Sequence, residues 1–259
     1  MKPADGFPFN FDWHVHTALS YCHEGELTVE NLVALAEQRG LAGFAITDNS
    51  VIEEAAKQEL IRRFFRYRCE YVLGLVEKDT VQRVELLMNE LGVKQEHRLV
   101  VGMAHRTAEE AQEQNRGNEG IFCGAAIELQ DGTIITGSNS PLMHAASSLV
   151  INAIKHVSEI PPRIHLLSQN VLESIGKFKA DILQSKTLSL DLEETLIALS
   201  ISAMTNTAVQ LAIEGLKELR GCEMHTTHLP TPGDDAGLRR LGINVTSDPN
   251  FSTKNLFIS

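Results

Sequence analysis

Paired cysteines are missing from this sequence. Cys22, Cys69, Cys123 and Cys222 lie far apart with no close spacing between any two. That excludes a disulfide framework and points to reduced thiols and a cytoplasmic protein. Runs of lysine and arginine are missing as well. There are 23 Lys and Arg against 34 Asp and Glu, for a net charge of −11. Without a basic stripe to neutralise phosphates, nucleic acid is not expected as a partner. The densest cationic stretch, Arg62 to Arg68, reads as one face of an amphipathic helix. No apolar run approaches membrane-spanning length, so no membrane partner is expected. The opening Met-Lys-Pro-Ala-Asp has no apolar h-region, and no secretory leader is read. Neither "GNEG" (117–120) nor "TPGDDAG" (231–237) places a Lys after its glycines, which excludes a phosphate loop. No repeat or low-complexity segment occurs.

What is present is enough apolar material for a core: 43% of 259 residues, which suits one large domain or two small ones. The pattern predicts an α/β protein. Phe9 to His16 reads as a strand, 29–39 as a helix capped by Thr28, and Leu41 to Thr47 as a second strand, which makes one βαβ unit. Residues 52–92 read as helical, with a break at Gly74 and a stop at Gly92. Arg98 to Ala104 reads as a strand, and Thr107 as the cap of a short acidic helix. Two β-rich runs flank Asp131-Gly132, a strong hairpin signal. Ser140-Pro141 opens a helix running to about His156. Arg163 to Leu167 reads as a strand, and a helix follows from about Asn170. Residues 191–220 read as two helices broken near Asn206, and Gly221 ends them. Cys222 to Thr227 is a strand, Asp234 to Leu241 a short helix, and Ile243 to Ser247 a last strand.

The chemistry begins at the amino end. His14 and His16 sit one residue apart, so a strand points both imidazoles to one face, and imidazole suits Zn²⁺, Mn²⁺ or Fe. The stretch Asp12-Trp13-His14-Val15-His16-Thr17, then Ser20, then Gly40-Leu41 and Ala45-Ile46-Thr47-Asp48, resembles the opening of the polymerase and histidinol phosphatase (PHP) family over about residues 9–50. That resemblance implies a metal-dependent phosphoesterase on a distorted α/β barrel, here incomplete. It also implies a divalent metal (Zn or Mn) held by His14, His16, His23, Asp48 and Asn49. Two departures stand out. Tyr21 occupies the place of a common Asp, where His23 could substitute. Asn49 occupies the place of a ligand His, and its neutral amide is a poorer partner for borderline metals.

From about Glu77 onward the sequence is similar to another family, the bacterial domain of unknown function 1846. The runs that carry the similarity are "GNEGIFCGAAIELQDGTIITGSNSPLMHAAS", "SLDLEETLIALSISAMTN" and "LRGCEMHTTHLPTPGDDAGLRRLGINVTSD". It implies two regions, a PHP-like segment over 1–76 and a C-terminal α/β domain over 77–259, with that family's usual N-terminal part absent. The hairpin and helix over 121–156 also resemble a zinc deaminase core. His144-Ala145-Ala146 supplies the histidine, but Ala146 replaces the proton-shuttling Glu, and one imidazole cannot hold catalytic zinc. Near the carboxyl end, Cys222, His225, His228 and Asp234 form a second candidate metal cluster. On a strand 225 and 228 face opposite ways, so convergence requires a bend at Thr227. Asp234 and Asp235 also suit the first turn of a helix, where the dipole favours anions.

Three readings follow. The first is a PHP-type phosphoester hydrolase with an impaired site. The second is a non-catalytic module that binds a small-molecule ligand or assembles with itself. The third is a fusion with no coherent activity. Leu60, Ile61, Phe64, Phe65 and Tyr67 spread around more than one helical face, which predicts an uncovered apolar patch and a homo-oligomer.

Overall fold

The computed structural model describes residues 11–15, 43–46 and 54–252. The mixed α/β class expected from the sequence is what is found. Strand β1 (Phe11–Val15) pairs in parallel with β2 (Gly43–Ile46), so the first two predicted strands do share a sheet. The expected helix between them, at 29–39, lies outside the described residues.

Helix α1 (Glu54–Val72) and helix α2 (Lys78–Glu90) form an antiparallel-type pair around the turn at Gly74. Leu60, Ile61, Phe64 and Phe65 of α1 do not spread around the helix. They bury together against Met88, Val93 and Val101, because positions i, i+1, i+4 and i+5 fall on one stripe. Helix α3 spans Leu99–Glu113 and occupies the segment in which a strand was expected. The β-branched pair Val100-Val101 suggested a strand. Yet Val100, Val101, Ala104 and Ala111 are the buried positions, and their three- and four-residue spacing is helical.

Strands β3 (Gly124–Glu128) and β4 (Ile134–Ser138) form the expected hairpin, antiparallel, with Glu128 opposite Ile134 and Gly132 at φ +81° in the turn. Helix α4 (Ala145–Val157) starts later than expected: the Ser140 hydroxyl instead accepts from the amides of Leu142 and Met143 in a local turn. Residues 163–167 form no strand. Leu166 and Leu167 are buried from irregular backbone, so their apolarity serves the core without a ladder. Helices α5 (Gln169–Asp181), α6 (Leu192–Ser202) and α7 (Thr207–Gly215) follow, and a 3₁₀ turn over Leu216–Leu219 leads to β5 (Glu223–Thr226). Helix α8 (Pro232–Leu241) and β6 (Asn244–Ser247) complete the described chain.

The main sheet has the order β4-β3-β5-β6, with β5 antiparallel to β3 and parallel to β6. Alternation along the strands divides its two faces. Ala125, Ile127 and Met224 pack with Leu149, Val150, Ala153 and Ile154 of α4. Ala126 packs with Val100 and Ala104 of α3. Each fully buried Leu, Val or Ile contributes about 1.5–3 kcal/mol, so the α4 face is the principal core. Helix α3 lies so close to β3 that a Cβ on Gly124 would stand 2.1 Å from the Ala104 carbonyl oxygen.

Candidate ligand site

The amino ends of α4 and α8 meet on the α4 side of the sheet. His144 is the residue before α4, in extended conformation, and its side chain makes no capping hydrogen bond. Its amide donates to the carbonyl of Leu190 at 2.9 Å, which fixes its position. Asp234 lies in the first turn of α8, where the dipole favours a carboxylate. The hydroxyl of Thr231 caps that helix by accepting from the Asp234 amide, and it donates to Asp234 Oδ2 at 2.7 Å. Asp234 Oδ1 accepts from the Leu192 amide at 2.9 Å, so one carboxylate ties α8 to the start of α6. The close approach needs Gly233, where a Cβ would lie 2.1 Å from an Asp191 carboxylate oxygen.

Asp234 Oδ2 also meets His144 Nδ1 at 2.7 Å. Burial disfavours the charged ring, but the hydrogen bond and the charge of Asp234 outweigh it, and His144 holds its proton above the ordinary histidine range. With Nδ1 engaged, Nε2 is the ring nitrogen left for another partner. His144 lines a cavity of about 390 Å³, together with Cys123, Asn139, Ser140, His228 and Thr231. Ala145 and Ala146 line it too, so the uncapped amides at the start of α4 belong to its wall. Burial pushes the Cys123 thiol up to about 12, with the Asp234 charge adding to the effect, so this cysteine is protonated and unreactive. Burial moves His228 the other way, below its ordinary value, and its Nδ1 lies 3.0 Å from the Thr227 hydroxyl. The cavity therefore carries one imidazole biased toward the charged form and one biased toward the neutral form.

The structure distributes the four tail residues over three places. Cys222 is buried beside Gln130 and the Glu218 carbonyl. His228 and Asp234 both line the cavity, but Asp234 is bonded to His144 and His228 to Thr227. His225 points through the opposite face of the sheet, toward His105 and Asp248. Neither His105 nor Asp248 carries a spacing signal in the sequence, and the pairing of His144 with Asp234 spans 90 positions, so sequence reading missed all three. Of the amino-terminal candidates, His14 belongs to β1. His16, His23, Asp48 and Asn49 lie outside the described residues.

A family model for the C-terminal part of the domain of unknown function DUF1846 matches residues 96–257, well over half of the sequence. The chain belongs to the DUF1846 family. The model for the N-terminal part of the same family matches residues 38–92. These matches support the DUF1846 resemblance and not the phosphoesterase one. The N-terminal match takes in β2 together with Asp48 and Asn49, inside the stretch that resembled the PHP family. It also shows that some of this family's N-terminal part, expected to be absent, is present over residues 38–92. The match includes residues 50–77.

A "UPF0371 protein" of Clostridium botulinum (strain Langeland / NCTC 10281 / Type F) is 44% identical over 216 residues, 83% of this chain and 43% of the relative. A "UPF0371 protein" of Clostridium tetani (strain Massachusetts / E88) is 39% identical over 215 residues, again 83% of this chain and 43% of the relative. The DUF1846 chain described here thus spans less than half the length of these relatives.

Proposed function

We propose that this DUF1846 chain is a small-molecule-binding module, its ligand lying in the cavity with an acidic group against His144 and the first amides of α4. One observation carries the reading: His144, held by Asp234 and biased toward its charged form, sits at the uncapped start of a helix inside a cavity of ligand size. The neutral His228 lines the same space and suits hydrogen bonding to the rest of the ligand. A deaminase role is not part of the proposal, since Ala146 brings no carboxylate to the site.

The hydrolase reading, with a Zn or Mn ion at His14, His16, His23, Asp48 and Asn49, draws its support from the sequence resemblance over residues 9–50 alone. The ligand-binding reading has a cavity and a positioned charged pair behind it, and it is preferred. Self-association belongs to the same proposal. Ile197 and Ile201, one turn apart on α6, and Met204 just beyond it are exposed.

The test is titration of the protein with small carboxylates and phosphomonoesters, followed through the His144 ring signals by NMR. At least one should shift them saturably, and His144→Gln should abolish that binding. A panel without any saturable binder defeats the reading.

A further inference from the structure

On the far side of the sheet from the cavity, three side chains from separate elements converge. His105 comes from α3, His225 from β5, and Asp248 from the residue after β6. One ligand atom from each lies within 4.8 Å of the others. His105 Nε2 is 2.6 Å from Asp248 Oδ2, and His225 Nε2 is 3.7 Å from the same oxygen. We infer that His105, His225 and Asp248 form a binding site for one divalent transition-metal ion, of the zinc class.

The decisive residue is His225. Its side chain has no solvent exposure, and its Nε2 is buried without a hydrogen-bond partner. Such an atom is costly unless something occupies the space before it. The other side of the ring has a partner that can take a proton. His225 Nδ1 lies 2.9 Å from the Thr246 hydroxyl oxygen. That hydroxyl accepts from Arg98 Nε and lies 3.2 Å from the Met224 carbonyl, so it can donate there and accept the Nδ1 proton. In that Nδ1–H tautomer, a bare lone pair on Nε2 faces a carboxylate oxygen. A lone pair opposite a carboxylate calls for a cation between them. An imidazole whose distal N–H is fixed by an outer partner is also how metal-ligating histidines are oriented.

The remaining geometry agrees. Donors placed about 2.0–2.2 Å from a tetrahedral ion stand roughly 3.4 Å apart. The His225–Asp248 separation of 3.7 Å already approximates this. The His105–Asp248 contact must open by under an ångström, and the side chain of His105 is 38% exposed. Insertion of the ion displaces the proton between His105 and Asp248, which passes to His105 Nδ1 from the neutral ring or to solvent from the charged one. Arg98, whose charge acts on His225, is itself bonded to Glu223, which limits its repulsion. Phe65 covers one side of the His225 ring at a centroid distance of 4.7 Å and excludes water there. Two imidazoles and one carboxylate form a borderline donor set that suits zinc, and three protein ligands leave a coordination position toward the exposed His105 side. The inference does not depend on the ligand cavity, whose lining residue Thr226 alternates to the other face of β5.

The experiment uses the whole chain, stripped with a chelator and titrated with Zn²⁺ by calorimetry and with Co²⁺ by visible absorption. One equivalent should bind, with ligand-field bands for Co²⁺. His105→Gln and Asp248→Asn should each weaken binding at least tenfold, while the double variant His14→Ala, His16→Ala should retain it. In the wild type, Zn²⁺ should move the imidazole signals of His105 and His225 but not that of His156. This reading survives even if a variant fails to fold. Absence of binding at tens of micromolar metal overturns the inference. So does unchanged binding by folded variants, or a wild-type titration that leaves the His105 and His225 signals in place.

Discussion

The guanidinium of Arg98 is bonded to the carboxylate of Glu223 although the Arg98 side chain is only 1% exposed. Its other donors reach the carbonyls of Met224 and Asn244 at 2.8 and 3.1 Å and the Thr246 hydroxyl, so one side chain just before α3 ties down both β5 and β6. Burial lowers its pKa, and the bond from Glu223 opposes that shift. Arg62 of α1 reaches the other carboxylate oxygen at 3.0 Å. Removing the carboxylate leaves a buried cation short of its counter-charge. Glu223→Ala is expected to destabilise the protein by about 3 kcal/mol, in the range for breaking a buried pair. Arg62→Ala, at a half-exposed position, should cost under about 1 kcal/mol. Urea midpoints of the two variants decide this, and equal shifts would contradict it.

The contact between α3 and β3 allows no side chain at position 124. An alanine Cβ there would meet two backbone atoms, the Ala104 oxygen at 2.1 Å and the Ala108 nitrogen at 2.6 Å, and neither can rotate away. Gly124→Ala should cost at least about 1–3 kcal/mol through overpacking. Gly102→Ala, with open space around it, serves as the control and should be neutral or slightly stabilising. Thermal melting of the pair should separate them by several degrees.

The bond from His144 to Asp234 links stability to pH. The histidine's folded pKa lies above its unfolded value. Its contribution is therefore complete below the unfolded value of about 6.5 and is lost as pH rises through the folded value. In Asp234→Asn the ring loses the charge that holds its proton. The stability gap between wild type and Asp234→Asn should narrow as pH rises through this window. NMR titration of His144 should also show a lower midpoint in the variant. A gap independent of pH would mean that the pair acts only as a neutral hydrogen bond.

Cys123 should resist alkylation. With its thiol pKa pushed up to about 12, almost no thiolate exists near neutrality. Iodoacetamide at pH 8 should leave Cys123 unmodified in the native protein and label it readily in urea, as read by peptide mass spectrometry. Rapid native labelling would show that the cavity wall is laid out differently.

Self-association is checked by light scattering over a dilution series. A dimer or larger species is expected. The double substitution Ile197→Asp, Ile201→Asp should shift it toward monomer without lowering the melting temperature, since both positions are exposed. A wild-type monomer at tens of micromolar would rule the association out.

Much of the fold was legible because its signals are local. Asp131-Gly132 marked the hairpin, and Gly74, Gly92 and Gly221, all at positive φ, marked the ends of helical stretches. The segment from Leu99 was misread because local β propensity competes with a helical burial period that only the packing against β3 settles. The sites were less legible. His144 and Asp234, or His105, His225 and Asp248, meet only after the sheet brings distant strands and helix ends together, and no spacing within one segment encodes that. The tail spacing drew attention to His225, His228 and Asp234, yet the pleat of β5 sends His225 to a different face from the other two.

The place of β5 between β3 and β6 sets a timetable for synthesis. The edge of β3 that pairs with Met224 and His225 is translated about a hundred residues before those partners exist. At ~5–20 residues per second the ribosome takes roughly 5–20 s to cover that distance. Throughout that interval Ala125, Ala126 and Ile127 offer an unpaired apolar edge, the kind of surface that recruits strands from other chains. Nascent chains stalled before residue 223 should therefore bind holdase chaperones strongly, and release should follow once β5 has emerged.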